Sequence, residues 1–388
     1  MHSTKTHKVI NLMISFFYHI GFWHRGANPT VNELKAKFFY CIYHALFLLS
    51  LVVGAITTEN VDKKIFLSEV AIAIVVLLIK LCLLIWKQSQ ILVLLNRFCV
   101  FSIRDDDDAS YFNEKLGRFM KFVTGFLITA LFVGFSESVV LSFVGSEKSL
   151  FLEIAFPLDW KHNDIAFCIT TFFIFTEVFL AIIAVLFSIL IWYLLLICSL
   201  RHDVLGSELR KLGHEQIAEK ANKKILEKRM QYSFFEGLKS SIKTHLHLRE
   251  LTNELESFFS KLFLTQFGTS GLCICGSIYC LAFNVGDNLL ERLTYLLLLL
   301  YFISELFMIT YFGNEIMLSS NRLSYSLFQS NWVDQPHSTK KCIIIFGEYL
   351  KQPQELIVGR LYPLTLETFT RILNSAYSMF NILKSFQQ

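Results

Sequence analysis

The chain has 388 residues, of which 54% are hydrophobic, 15% aromatic and 18% charged, and its net charge is +4. Soluble globular domains carry about a quarter charged residues, and disordered chains are poor in aromatic residues, so this composition excludes both classes. The small net charge and the lack of a basic run with interleaved aromatics exclude a nucleic-acid partner. The composition is that of a membrane protein.

Six apolar stretches have the length of about 20 residues that a helix needs to cross a bilayer. They are residues 38–58, 66–86, 122–144, 165–200, 257–283 and 293–312. The fourth stretch exceeds the thickness of the hydrocarbon layer at about 1.5 Å per residue, so we expect its end to project into water as a continuous helix. The charged, helix-prone segment 201–256 is expected to form a cytosolic extension of the fourth and fifth helices. The apolar stretch 10–23 is too short to span, which predicts an interfacial or re-entrant helix within an N-terminal segment 1–37.

Residues 363–386 form a seventh candidate span of a different character. Eleven of its 24 positions are Thr, Ser, Asn, Glu, Arg or Lys, so this helix cannot face lipid on all sides. Thr370, Asn374 and Ser378 recur at helical spacing and form a polar stripe. The helix either lies on the membrane surface or crosses the membrane beside water, shielded by other helices, and we favour the second interpretation.

The positive charges predict the orientation of the chain. The N-terminal segment and the even-numbered loops together carry 27 Lys and Arg residues, whereas the odd-numbered loops carry five. The positive-inside rule places the N-terminus in the cytoplasm, and seven spans then place the C-terminus outside. The sequence therefore predicts an all-α membrane protein with seven transmembrane helices, oriented opposite to a G-protein-coupled receptor.

Enzyme motifs are missing from the sequence. It contains no phosphate-binding glycine loop, no nucleophile elbow and no Cys/His spacing typical of a metal site. We therefore expect no catalytic residues, no metal and no cofactor.

Ionisable residues inside the predicted spans are costly in lipid, so each needs an interpretation. Glu137, Glu177 and Glu305 lie in the third, fourth and sixth spans, where hydrogen bonds between helices explain them. For Glu177 a second interpretation stays open, in which a protonated carboxyl donates a hydrogen bond to an ester or alcohol. Lys80, in the second span, is interpreted as structural. In the last helix, Glu367 and Arg371 are one turn apart and are expected to pair.

The C-terminal third resembles a known family. The stretch from Thr310 to Pro336 contains Phe312-Gly313-Asn314-Glu315 and the later pair Asn331-Trp332, in the order and spacing of the insect odorant receptor signature. A short apolar helix (KKCIIIFGEYLKQPQ) and the polar last helix follow, so the resemblance continues to the end of the chain, with support from Lys80, Pro157 and Asp159. Ala376-Tyr377 and Ser385-Phe386 depart from the gustatory receptor pattern. The loop 201–256 is too short for the insertion of the shared co-receptor.

The resemblance implies an odorant-tuned subunit of a heteromeric, ligand-gated, non-selective cation channel. Such subunits assemble as tetramers with the co-receptor in the plasma membrane, in this case the dendritic membrane of olfactory neurons. Residues 38–312 would hold six helices, 313–362 a cytoplasmic anchor and 363–388 the pore helix. A gustatory-type homomeric channel, a seven-helix transporter and a G-protein-coupled receptor stay open as alternatives.

The resemblance also implies particular site residues. The outer constriction of the pore would fall at Ile382 and Phe386, with Lys384 at its mouth, and subunits would assemble through Glu315, Asn331 and Trp332. A volatile, mostly apolar odorant would bind in the outer half of helices two to six, in a largely hydrophobic cavity. The candidates are Val70, Ile74, Phe132, Phe135, Val139, Thr170, Phe173, Ile174, Glu177, Leu298, Tyr301 and Phe302.

Overall fold

The computed structural model describes residues 2–3, 7–26, 28–143, 150, 152, 154–214, 223–283 and 289–385. Within these ranges, the side chains of residues 2–3, 61–62, 133, 135–143, 223–226 and 289–291 are not described. The described part of the chain is all-α apart from two short antiparallel ladders, β1–β2 and β3–β4.

The helices are α1 Lys8–His19, α2 Val31–Thr57, α3 Val61–Trp86, α4 Gln88–Cys99, α5 Asp106–Phe143, α6 Asp164–Lys211, α7 Lys223–Ala282, α8 Leu289–Phe328, α9 His337–Leu350 and α10 Leu366–Ser385. The strands are β1 His2–Ser3, β2 Ser102–Ile103, β3 Ile357–Val358 and β4 Tyr362–Pro363. By length and composition, α2, α3, α6, α7 and α8 are apolar enough to cross a membrane.

Each predicted span coincides with one of these helices to within four residues at its apolar end, and α2, α5, α6, α7 and α8 extend well beyond the spans at the other end. The continuous helix predicted for the fourth span is confirmed, because α6 runs unbroken for 48 residues. Two other helices extend well beyond the predicted apolar cores, since α7 has 60 residues and α8 continues to Phe328. The expected extension of the fourth and fifth helices into the charged segment 201–256 is confirmed at residues 201–211 and 223–256. The polar residues after the sixth span likewise continue α8 instead of forming a loop. The short helix α4 was not predicted.

The core is built around α6. Its stretch from Ile183 to Leu205 is buried almost without interruption, and Trp192 and Tyr193 are among the largest fully buried side chains. A helix that is apolar and buried on all sides lies at the centre of a bundle. The outer helix α2 is different, because Phe39, Ile42 and Ile56 are more than half exposed and form an apolar outer face suited to lipid.

The N-terminal helix α1 packs against the bundle. Ile10, Met13 and Phe17 form its buried face, and the Trp23 indole N–H that follows donates to the Leu84 carbonyl oxygen over 2.8 Å. With 12 residues α1 is too short to cross a bilayer.

The last helix is placed by close contacts at its entrance. The β3–β4 ladder turns through Gly359 and Arg360, which both have positive φ, and leads directly to α10. Gly313 of α8 lies so close to Leu364 that an added Cβ would overlap the Leu364 carbonyl oxygen. Glycine at position 313 therefore fixes where the chain enters α10, which then packs against α7 and α8.

Candidate functional site

Four of the candidate odorant contacts meet in one apolar cluster. Val70 and Ile74 of α3 pack with Phe173 and Ile174 of α6, and this cluster extends to α2 and to residues 150–160. The ring of Phe173 lies 5.0 Å from that of Tyr43. The sequence prediction thus grouped residues of different helices that do share an apolar environment.

The other candidate odorant contacts lie in different parts of the structure. Leu298, Tyr301 and Phe302 of α8 belong to the main core around α6 instead of this cluster. Thr170 is fully buried, and its hydroxyl donates to the Ala166 carbonyl of its own helix. Phe132 is 72% exposed, because it lies with Ile128 and Leu131 on the outer face of α5. The side chains of Phe135, Glu137 and Val139 lie outside the described residues.

Glu177 is held by a histidine. Its carboxylate Oε1 lies 2.5 Å from His44 Nδ1 of α2, and both side chains are almost completely buried. The other ring nitrogen of His44 lies 3.4 Å from the Ile74 carbonyl oxygen. Glu177 therefore links α6 to α2 at the edge of the apolar cluster, as the interpretation of a bond between helices predicted.

Lys80 and Glu305 form a buried ion pair. The Lys80 ammonium of α3 donates to the Glu305 carboxylate of α8, and the exposures are 1% and 2%. Ser188 of α6 adds a hydrogen bond of 2.7 Å to the same carboxylate oxygen and accepts one of 3.0 Å from Lys80. This cluster joins three helices, and a buried pair with additional hydrogen bonds is the arrangement that compensates best for desolvation.

Glu69 was missed by the sequence reasoning. It is 4% exposed on α3 and accepts a hydrogen bond from the Ser277 hydroxyl of α7. Its second oxygen lies against Gly276, where an added Cβ would approach it to 3.1 Å. The sequence could have identified Glu69, since it lies within the apolar stretch 66–86. Like the other three glutamates, it is an ionisable residue inside a predicted span, where an unpaired charge is costly.

Helix α10 packs by one face only. Phe369, Ile372, Leu373, Ala376 and Phe380 form the packed face, and Ala376 is completely buried. The polar stripe of Thr370, Asn374 and Ser378 lies on the exposed face.

The residues predicted for the pore lie on that open side as well. Ile382 is 57% exposed and Lys384 is exposed, while Phe386 lies outside the described residues. Glu367 and Arg371 pair over 2.5 Å at the start of the helix, as predicted.

Two of the three residues predicted for assembly, Asn331 and Trp332, lie between the end of α8 and the start of α9. The backbone N–H of Asn331 donates to the Leu212 carbonyl oxygen over 3.0 Å, and the half-buried Trp332 ring lies 5.9 Å from that of Phe328. Glu315 is half-buried in the middle of α8. Asn331 and Trp332 are therefore close together, and Glu315 is separate from them in the chain.

The long apolar helices and the polar last helix define a multi-span α-helical membrane protein, and solved structures share its fold. The insect olfactory receptor OR5 from Machilis hrabei matches with a TM-score of 0.81 over 97% of both chains at 16% identity. The same receptor in complex with eugenol matches with a TM-score of 0.79 over 97% of this chain and 99% of that chain, at 15% identity. This similarity shows the seven-transmembrane-helix fold, so the predicted all-α fold with seven spans is confirmed, while the predicted orientation of the termini stays a prediction.

Sequence comparison identifies the family. The model described as 7tm Odorant receptor matches residues 65–377, so the chain belongs to this odorant receptor family. Odorant receptor 23a of Drosophila melanogaster is 28% identical over 243 residues, which is 61% of this chain and 60% of that protein. Odorant receptor 10 of Aedes albopictus is 29% identical over 143 residues, 37% of this chain and 38% of that one. The chain thus spans less than two thirds of the length of each of these relatives, and the resemblance inferred from the C-terminal third is confirmed.

Proposed function

We propose that this receptor is the odorant-binding, tuning subunit of a heteromeric ligand-gated cation channel, in which α10 lines the pore. The observation that carries the proposal is the one-sided packing of α10. The helix packs on α7 and α8 by its apolar face and leaves the stripe of Thr370, Asn374 and Ser378 uncovered.

The dimensions of α10 suit this role. Its 20 residues span about 30 Å, close to the thickness of the hydrocarbon layer. Lipid is a poor environment for a row of hydroxyl and amide groups, whereas a water-filled passage satisfies them. Ile382 on the same open side supplies an apolar constriction that gates by excluding water, with Phe386 as its predicted partner. Lys384 lies near the predicted mouth, where its charge lowers the local concentration of cations.

The proposed odorant site combines the apolar cluster of α3 and α6 with the α8 candidates. Val70, Ile74, Phe173 and Ile174 supply the apolar surface that a volatile molecule requires. Glu177 borders this cluster but is already engaged by His44, so apolar contacts dominate recognition there. The eugenol complex of OR5 from Machilis hrabei supports the general idea that a receptor of this fold binds a small aromatic molecule.

The proposed topology has a cytoplasmic N-terminus and an extracellular C-terminus in the plasma membrane of an olfactory neuron, on its dendrite. The excess of positive charge in the N-terminal segment and even-numbered loops supports this orientation. An epitope tag after Gln388 is expected to be accessible to antibody on intact cells. A tag that is reached only after permeabilisation would contradict the topology.

The channel is tested by recording odorant-evoked current with and without the co-receptor. Current is expected only when both are expressed, and a robust current from this chain alone would favour a homomeric, gustatory-type channel.

The pore is tested with the variant Ser378→Cys. A positively charged methanethiosulfonate reagent applied from outside should block the current through this variant. Ala376→Cys is the matched control, two residues away on the packed face and completely buried. Block of the current in the Ala376→Cys control, or no block in Ser378→Cys, would contradict the assignment of α10 as the pore-lining helix.

A further inference from the structure

A pocket lies where the N-terminal helix α1 meets the start of α2. Its volume is about 370 Å³, within the range of about 300–1,000 Å³ that ligand pockets occupy. The end of α1, the turn after it and the first turn of α2 form the wall, to which Tyr18, His19, Trp23, Arg25, Thr30 and Glu33 contribute. The proposed odorant contacts contribute nothing to this wall, so the pocket is separate from the odorant site.

The turn after α1 is held by hydrogen bonds to three other helices. The Trp23 indole is bonded to a backbone carbonyl near the end of α3, as described above. The Gln88 amide of α4 accepts the N–H of His24 over 3.1 Å and donates to the carbonyl oxygen of the same residue over 2.7 Å. The Tyr40 hydroxyl of α2 donates to the Ile20 carbonyl oxygen over 3.2 Å. The wall is therefore already ordered before a ligand arrives, which lowers the entropic cost of binding.

Two positive charges accompany this turn. The exposed Arg25 guanidinium lies 5.8 Å from the centre of the Tyr18 ring. Lys37 is 2% exposed, and its ammonium lies 3.0 Å from His24 Nδ1, directly behind the turn. Among the residues that the structure describes, neither Arg25 nor Lys37 forms an ion pair. Both charges are thus available to an anion.

The one acidic residue of the wall is already occupied. The Glu33 carboxylate accepts the backbone N–H of Thr30 over 2.7 Å and its hydroxyl over 2.9 Å, which is the capping box of α2. Glu33 is also the single acidic residue of the segment 1–37, which carries five Lys and Arg residues. The electrostatic balance around the pocket therefore favours a negatively charged ligand.

An exposed apolar stripe runs along α2 from the pocket into the bilayer. Its members recur at helical spacing and are all more than a third exposed: Val31, Leu34, Phe38, Ile42, Leu46 and Leu49. The Phe38 ring lies 5.2 Å from that of Trp86, the last residue of α3, where the predicted span ends. Aromatic residues of this kind are typical of the membrane interface. The pocket is therefore at the level of lipid headgroups, with a surface for acyl chains beside it.

We propose that this pocket binds the headgroup of an anionic phospholipid, whose acyl chains lie along the stripe of α2. The phosphate accepts hydrogen bonds from the Arg25 guanidinium, whose planar fork suits phosphate oxygens. A soluble anion would leave the stripe unused, and a zwitterionic headgroup would bring its own cation next to Arg25 and Lys37. The bound lipid joins α1 to α2. Its place in the cytoplasmic leaflet rests on the proposed topology, whereas the site itself does not.

The test is native mass spectrometry of the full-length receptor in detergent, titrated with palmitoyl-oleoyl phosphatidylserine or with the phosphatidylcholine of the same chains. Phosphatidylserine is expected to bind more tightly, and Arg25→Gln should lower this preference about fivefold, the effect of one basic side chain at an anionic surface. Arg25→Lys should recover most of the loss, because it restores the charge. Arg118→Gln is the matched control, since Arg118 is 69% exposed on α5 and pairs with Glu114.

A second titration separates a lipid site from a site for any phosphate. Glycerophosphoserine has the same headgroup without acyl chains, and a large excess of it should not displace the bound phosphatidylserine. Displacement at concentrations similar to those of the lipid would show an anion site without a role for the stripe, and would overturn the proposal.

Three other results would also overturn it. They are equal binding of the two lipids to the wild type, an unchanged preference in Arg25→Gln, and an equal loss in Arg118→Gln. A preference as low in Arg25→Lys as in Arg25→Gln would assign the loss to a changed turn and count against the site as well. Lipid binding in detergent needs neither the co-receptor nor an odorant. A receptor that binds phosphatidylserine but gives no odorant-evoked current would therefore support this site and count against the proposed function.

Discussion

Replacing Lys80 by methionine should destabilise the receptor strongly, because it leaves a carboxylate buried without its cation. Glu305 is 2% exposed, and after the substitution its carboxylate would keep neutral partners such as the Ser188 hydroxyl, 2.7 Å away, but no cation. Removing one partner of a buried ion pair costs about 3–5 kcal/mol, so the apparent melting midpoint of a chain of this length should fall by about 4–6 °C. The assay is heating of detergent-solubilised receptor followed by size-exclusion chromatography.

Two further variants test whether the buried Lys80–Glu305 pair is responsible for the loss of stability. Lys351→Met is the matched control, since Lys351 pairs with Glu348 over 2.6 Å while both side chains are largely exposed. Exposed pairs of this kind contribute little to stability. The double variant Lys80→Met/Glu305→Leu should recover most of the loss, because an apolar pair leaves no charge to solvate. If Lys80→Met melts like the control, or if the double variant is no better than Lys80→Met, the buried pair does not have the assigned role.

Three other substitutions test separate parts of the structure. Trp332→Ala should reduce co-precipitation with the co-receptor at least about tenfold without changing ligand preference, as expected for an aromatic anchor of an interface; intact association at normal surface expression would contradict this. Gly313→Ala should prevent maturation to the cell surface because of its clash at the entrance to α10, whereas Gly268→Ala, with no neighbour within 4 Å, should be tolerated. Lys211 and a backbone N–H hold the pKa of Asp105 below its ordinary value, so this contact stabilises the fold above the ordinary carboxyl range and is lost as the pH falls through the lowered value. Asp105→Asn should therefore reduce the loss of thermal stability on acidification, and an unchanged pH profile would contradict the contact.

The sequence predicted the parts of the fold that depend on local pattern. Apolar length located the spans, and helical spacing identified the polar stripe of α10, which the structure places on the open face. Helix bounds were less predictable, because polar segments that flank an apolar core, before it in α7 and after it in α8, continue a helix as readily as they form a loop.

The pairings between helices could not be read from local pattern. Lys80 and Glu305 are 225 positions apart, and nothing near either residue indicates the other. Of the candidate odorant residues, Val70, Ile74, Phe173 and Ile174 share one apolar cluster, yet the α8 group lies in a different cluster. Spacing determines which residues share a face, whereas the rotation of each helix against its neighbours determines which faces meet.

The buried polar groups explain how that rotation is selected. In lipid, an apolar face gains little by meeting another helix instead of acyl chains, so hydrophobicity alone does not choose between alternative helix pairings. A buried hydrogen-bonding group does select one pairing, because its hydrogen bonds are formed in one rotation of the helix about its axis and are missing in the others. Here Glu177 and His44 join α6 to α2, Glu69 meets Ser277 of α7, and Lys80 meets Glu305 of α8. Helix α3 carries two of these links, about three turns apart, so both its rotation and its tilt are specified. Under the proposed function, an odorant that displaces α3 is therefore expected to move α7 and α8 as well, which are the two helices that α10 packs against.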